Sequence, residues 1–191
     1  MNYNISKRFF DIILSIFLFF ILFIPIILIF LLHISLYKDS FIFWSKRIGI
    51  NNSIFFMPKI RTMISETPQV ATHLMDDQNK YITKLGYFLR STSMDEILQL
   101  WSIIKGDMSL VGPRPALYNQ IDLIDLRNIN KINHLIPGIT GLAQINGRDS
   151  LSIVDKVDIE KIYLKKKSFF FEKKIILMTF IVIFKRSNIA H

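Results

Sequence analysis

Residues 12–32 read IILSIFLFFILFIPIILIFLL, 21 positions with no charge and one weakly polar member, Ser15. As a helix this run covers about 30 Å, the thickness of a hydrocarbon core. It fits a cleaved leader poorly. The apolar core is too long, and bulky His33-Ile34-Ser35-Leu36-Tyr37 follows where a small-x-small cleavage site would stand. Composition alone favours a single spanning helix. Two features oppose that reading. Pro25 removes a backbone donor just past the middle of the run and clashes with the preceding turn, so a kink or a break into two arms is expected there. Lys7 and Arg8 precede the run, and Lys38, Lys46 and Arg47 follow it. Neither flank therefore has the cationic excess that orients a span. A helix that enters, bends at Pro25 and returns to the same face accommodates both features, but the residues leave the choice open.

The 191 residues suffice for one compact domain plus an anchor. Apolar residues make up 51% of the chain, 17 of them Phe, and 24 Lys+Arg against 15 Asp+Glu give a formal charge of +9. A basic, greasy chain points to an anionic surface or ligand: acidic lipid, nucleic acid or phosphorylated metabolites. There is no cysteine, which excludes disulfides and thiolate metal sites. His33, His73, His134 and His191 show no metal-ligand spacing, so zinc chemistry has no support.

Beyond the apolar run, residues 40–44 read as a short strand or interfacial segment. Residues 55–57 lead into a second short extended candidate at 59–63, residues 65–79 read as a polar loop or weak helix, and 81–89 as a short amphipathic stretch. Ser93-Met94-Asp95-Glu96 fits a capping box, with Ser93 as N-cap and Glu96 reaching back to it. Ile97, Leu100, Trp101 and Ile104 continue at helical spacing, and Gly106 is placed to end the helix. Residues 106–147 are rich in Gly and Pro and read as ordered loops around a site, interrupted by a polar helix near 118–133. Residues 155–186 are basic and amphipathic. Their apolar part, 175–184, is too short to span but suits a helix lying in the interface.

Asp95 and Glu96 have two readings. They can serve only the cap and the helix dipole. Alternatively, two carboxylates that diverge on a helix can do two jobs: one nucleophile, and one metal or proton partner. Nearby Arg90 and the helix start would keep Asp95 ionised and hold a phosphate before it. In Gly112-Pro113-Arg114-Pro115 a proline on each side restricts the backbone of one arginine, which suits a guanidinium that meets an anion in fixed geometry. Arg148 stands beside Gly147 with the same ambiguity. No Walker, dinucleotide or nucleophile-elbow motif is present.

Taken together, the chain resembles the bacterial sugar transferase family, the monotopic polyprenyl-phosphate phosphoglycosyl transferases. The resemblance rests on Lys7-Arg8-Phe9-Phe10-Asp11, the Pro-interrupted apolar helix, Arg47-x-Gly49 and residues 59–63 (KIRTM). It continues through residues 90–100 (RSTSMDEILQL), 105–115 (KGDMSLVGPRP), 137–141 (PGITG) and Gly147-Arg148. It covers nearly the whole chain in order.

The resemblance implies a mainly α fold with little β. An N-terminal Pro-broken re-entrant membrane helix (1–38) would precede a compact catalytic domain (39–191) on the cytoplasmic face of the bacterial inner membrane, with interfacial amphipathic helices. It implies Mg²⁺-dependent transfer of a sugar 1-phosphate from a UDP-sugar to a polyprenyl phosphate such as undecaprenyl phosphate, with release of UMP. Asp95 would be the nucleophile and a metal ligand, and Glu96 its dyad partner. Lys59, Arg61, Arg90, Arg114 and Arg148 would bind substrate phosphates. The expected partners are the two substrates and the lipid bilayer, not nucleic acid, with a homodimer allowed. Four positions depart from the family pattern: Ile24 stands where Ser is common, Ser45 where Gln is usual, Leu142 where Trp is usual and Glu160 where Asp is usual. A catalytically silent anchored scaffold and a single-pass nucleic-acid-binding protein are the competing readings. The intact Asp95-Glu96 pair opposes the first, and the absence of aromatics interleaved with basic residues opposes the second.

Overall fold

The computed structural model describes residues 3–65, 67, 80–147 and 150–186. The apolar run lies within helix α1, Tyr3–Leu36. Asp11, Ser15, Ile29 and His33 of α1 are buried, and Leu18, Leu22 and Ile26 pack partly against the core. These residues are separated by three or four positions and so form one stripe along the helix. On the opposite side Phe17, Phe20, Ile24 and Leu28 are each 59% exposed or more. The stretch Ile5–Leu36 is long and apolar enough to cross a membrane and is mostly unburied.

Helical structure continues through Pro25 to Leu36, so the helix does not break into two separate arms there. A mid-helix proline costs about 3 kcal/mol. Leu18 and Leu22 before it and Ile26 and Ile29 after it pack on the same body, and that contact holds both halves in one helix.

Strands β1 (Ile42–Ile48) and β2 (Ile54–Ile60) form an antiparallel hairpin in register Ile42↔Ile60 to Ile48↔Ile54. Alternation turns Ser45, Phe55 and Met57 inward and leaves Trp44, Ile54 and Phe56 outside. Helix α2 (Lys84–Ser91) starts at Thr83, whose hydroxyl accepts from Gly86 N–H at 2.9 Å. Helix α3 (Gln99–Lys105) ends at Gly106, whose φ of 108° belongs to the left-handed region, as the sequence led us to expect. The Arg8 guanidinium donates to the last α3 carbonyls, Ile103 (2.7 Å) and Ile104 (2.9 Å). A cation at a helix C-terminus is favourable.

Strands β3 (Ser109–Val111) and β4 (Gly138–Thr140) pair in parallel, and the connection between them carries α4 (Ile121–Ile129). Helices α5 (Leu142–Ile145), α6 (Ile153–Lys166) and α7 (Phe169–Arg186) complete the chain. The main core gathers Met57, Ile103, Met108, Val111, Ile132, Val157 and Ile175, and a smaller cluster joins Ile29, Ile60, Leu85 and Leu89. A buried polar network fastens the start of α1. Lys7 pairs with Glu172 (2.8 Å), and Asp11 accepts from Ser109 Oγ (2.7 Å). Tyr163 donates its hydroxyl proton to Glu172, and the same oxygen lies 3.2 Å from the Val111 carbonyl.

The parallel pair depends on missing side chains, because a Cβ on Gly138 would lie 2.1 Å from the Gly112 nitrogen. Gly138→Ala therefore has to separate two backbones. We expect a loss of about 3 kcal/mol or more, at or above the usual range for overpacking, read as a lowered Tm in detergent with reduced yield. An unchanged Tm would contradict this packing.

Candidate active site

The carboxylate pair does not sit on the first turn of a capped α-helix. Ser93 adopts φ 58°, ψ 17°, left-handed geometry with no side-chain cap, and Met94–Glu96 forms a 3-10 turn ahead of α3. An N-cap needs extended backbone at Ser93, so the capping box expected there does not form. The Ile97, Leu100 and Trp101 amides donate to carbonyls three residues back, and the chain thus enters α3 through tight turns. Left-handed backbone at a non-glycine residue costs of order 1–3 kcal/mol and clusters at functional sites.

Freed from the cap, Glu96 meets two cations. Its Oε1 accepts from Lys59 Nζ of β2 and from Arg114 Nη2 of the loop after β3, each at 2.9 Å. Successive residues of a 3-10 turn project about 120° apart, and both carboxylates act on Lys59. Both residues are buried, at 9% and 8% exposure. The electrostatic partner of Asp95 on α2 is Arg90, whose Nε donates to Thr62 Oγ1 at 2.9 Å. Burial pulls the Arg90 pKa below its ordinary value while Asp95 pushes it back up. Burial likewise lowers the Lys59 pKa. Glu96 opposes that shift, Arg114 adds to it, and Asp95 and Arg47 act more weakly in opposite directions.

Lys59, Arg90 and Arg114 are thus brought together around the two carboxylates from three elements distant in sequence. Arg61 is placed elsewhere. Its guanidinium donates to the Ser40 carbonyl (2.8 Å) and Ser65 Oγ (3.4 Å) and lies over the Phe43 ring. Arg148 lies outside the described residues, as does most of the 65–79 loop. Arg47 had not been singled out for the site. It is held by Ser45 Oγ (2.9 Å) and donates to the Pro115 carbonyl (3.1 Å), so its charge lies near Lys59 and Arg114. The short Ser45 is thus a partner of Arg47. Arg127 and Glu160 also gave no local signal, because 33 residues separate the two halves of their ion pair.

Such an arrangement, one buried carboxylate neutralised by two cations and a second beside a half-buried arginine, suits a ligand with several phosphate charges. A site of this kind, in a chain with a long exposed apolar helix, suits a membrane-associated protein that handles phosphates. The bacterial sugar transferase family model matches residues 2–186, and the chain belongs to that family. It is 37% identical to the uncharacterized sugar transferase EpsL of Bacillus subtilis, over 92% of this chain and 85% of that one. It is 30% identical to the undecaprenyl-phosphate galactose phosphotransferase of Salmonella typhimurium, over 95% of this chain and 41% of the relative. It is 35% identical to the UDP-glucose:undecaprenyl-phosphate glucose-1-phosphate transferase of Klebsiella pneumoniae, over 92% and 39%. The chain spans most of the first and less than half of the other two. A sugar-phosphate transferase is the enzyme class these matches define.

Proposed function

We propose that the chain transfers a sugar 1-phosphate from a UDP-sugar to polyprenyl phosphate at the bacterial inner membrane, with the site on the cytoplasmic face. The observation that carries this reading is the divided pair, with Glu96 held by Lys59 and Arg114 and Asp95 beside Arg90. An Asp95 oxygen attacks the phosphorus that bears the sugar. The bond from that phosphorus to the bridging oxygen breaks, and UMP leaves with the bridging oxygen. An oxygen of polyprenyl phosphate then attacks the same phosphorus, the aspartyl bond breaks, and the carboxylate is restored. Lys59, Arg90 and Arg114 bind the phosphate charges, and Glu96 keeps two of those cations in place.

Among the described residues no cluster of three or more acidic or histidine side chains could hold a metal, and Glu96 Oε1 is already engaged twice. Asp95 still fits Mg²⁺ as that ion is bound at phosphate sites, by one or two carboxylates together with substrate oxygens. When bound there, Mg²⁺ would neutralise charge on the diphosphate. The direct test is UMP release by purified protein from a panel of UDP-sugars with undecaprenyl phosphate. No release from any donor would sink the reading.

We further propose that α1 enters and leaves on one side of the bilayer. The reading is supported by both ends fastening to one body: Lys7 and Arg8 on α7 and α3, and Ile29 and His33 against Ile60 and Phe41. Single cysteines replacing Asn2 and Lys38 should therefore react alike with an impermeant thiol reagent in intact spheroplasts. Labelling at one and protection at the other would establish a span.

A further inference from the structure

Pro113 and Pro115 deprive the arginine loop of two backbone donors, so its fixation falls largely to its carbonyls. Each carbonyl from Pro113 to Ala116 accepts one bond from a different donor. Gly138 N–H of β4 reaches the Pro113 carbonyl (2.9 Å), and Ile48 N–H of β1 reaches that of Ala116 (3.0 Å). The other two donors are arginine side chains: Arg127 Nη2 of α4 to the Arg114 carbonyl (3.0 Å) and Arg47 Nη1 to that of Pro115 (3.1 Å).

Arg127 is itself held. Its Nε donates to Glu160 Oε2 at 2.8 Å and its Nη2 to Glu160 Oε1, and both residues are buried, at 8% and 2% exposure. A buried ion pair is no better for stability than a well-packed apolar pair of the same volume, because two charges must leave water. Arg127 also does what an apolar residue cannot. It presents a planar fork with one edge on the carboxylate and a donor to spare for a neighbouring carbonyl. The line of contact runs from α6 through Glu160 and Arg127 to the Arg114 backbone. From there it passes through the Arg114 guanidinium to Glu96, the neighbour of Asp95.

We propose that the Arg127–Glu160 pair is a positioning unit that fixes the backbone of Arg114 and thereby aims its guanidinium at the phosphate site. It rests on the reading of Asp95 and Glu96 as the reacting centre and acts without touching substrate. The test is a double-mutant cycle on the full-length protein in detergent, with UMP release as readout. Arg127→Met/Glu160→Leu removes the pair without leaving one charge buried alone, and is made in the wild-type and Arg114→Ala backgrounds.

In the wild-type background we expect kcat/KM to fall by about 30–100-fold with Tm within a few degrees, divided between kcat and KM as it is in Arg114→Ala. On the Arg114→Ala background the further loss should be less than about twofold, because what the pair positions has already gone. Losses that multiply across the two backgrounds, or a kcat–KM division unlike that of Arg114→Ala, overturn the proposal. If the double variant does not fold, Arg127→Lys takes its place in the same cycle, since a lysine cannot grip both carboxylate oxygens and the carbonyl together. Full activity of folded Arg127→Lys overturns the proposal, and so does misfolding of both variants, which would mark the pair as structural. The two readings separate cleanly. Full turnover by Asp95→Asn removes the dyad reading while the cycle still reports on the pair, and an inactive Asp95→Asn with multiplying losses removes only the positioning unit.

Discussion

Asp95→Asn will give a folded, membrane-retained protein whose UMP release falls by about 10³–10⁵-fold, the usual scale for removing a nucleophile. The substitution keeps the shape of the side chain and one of its oxygens, so packing around the 3-10 turn at Met94–Glu96 should survive. What it removes is the anionic oxygen that would attack phosphorus. It also removes the negative charge that opposes the effect of burial on Arg90. Incubation with a UDP-sugar labelled in the sugar, without lipid acceptor, should leave label on the wild-type protein and none on the variant. Full activity in a well-folded variant would leave direct in-line transfer to polyprenyl phosphate as the surviving mechanism.

Glu96→Gln should be damaging in a different way. Glu96 Oε1 is the shared acceptor of Lys59 and Arg114, and the Glu96 side chain is only 11% exposed. Neutralising it leaves both cations without their shared carboxylate, and breaking a buried pair in this manner costs about 3–5 kcal/mol. For a chain of this size that corresponds to a Tm lower by roughly 10 °C. Turnover should fall by about a hundredfold or more, since the cations that meet the phosphates lose their anchor. Lys59→Met combined with Glu96→Leu removes one of the two ion pairs whole and with it one phosphate-binding cation. It should recover the share of the Tm loss due to Lys59 but not that due to Arg114, which keeps its charge without its carboxylate, while turnover stays low. Recovery of turnover along with the Tm would show that Glu96 acts only as structural support.

Much of the site was legible because its residues lie in short dense motifs. Asp95-Glu96, Arg90 and Gly112-Pro113-Arg114-Pro115 were all singled out from residue chemistry, and the structure brings them together with Lys59. The capping box was misread for a physical reason. Ser-x-x-Glu before an apolar helical pattern is a cap only if Ser93 is extended, and local sequence does not report the two cations that draw Glu96 the other way. Arg61 lies two residues from Lys59 and has the same charge. Yet it follows the end of β2 and turns to Ser40 and Ser65, which no residue count anticipates.

By itself the sequence determined the apolar α1, two short extended segments, the α3 stop at Gly106 and the chemistry available near Asp95. Each of these follows from local periodicity, backbone restriction or residue type, properties carried within a few turns of chain. The tertiary structure alone decided that helix α1 continues through Pro25, since the compensating contacts come from a body folded against both halves. It alone joined Arg127 to Glu160 and both to the Arg114 loop. Burial of a charge is tolerated only where a distant partner is delivered to it, and that delivery is a property of the packed molecule, not of any segment.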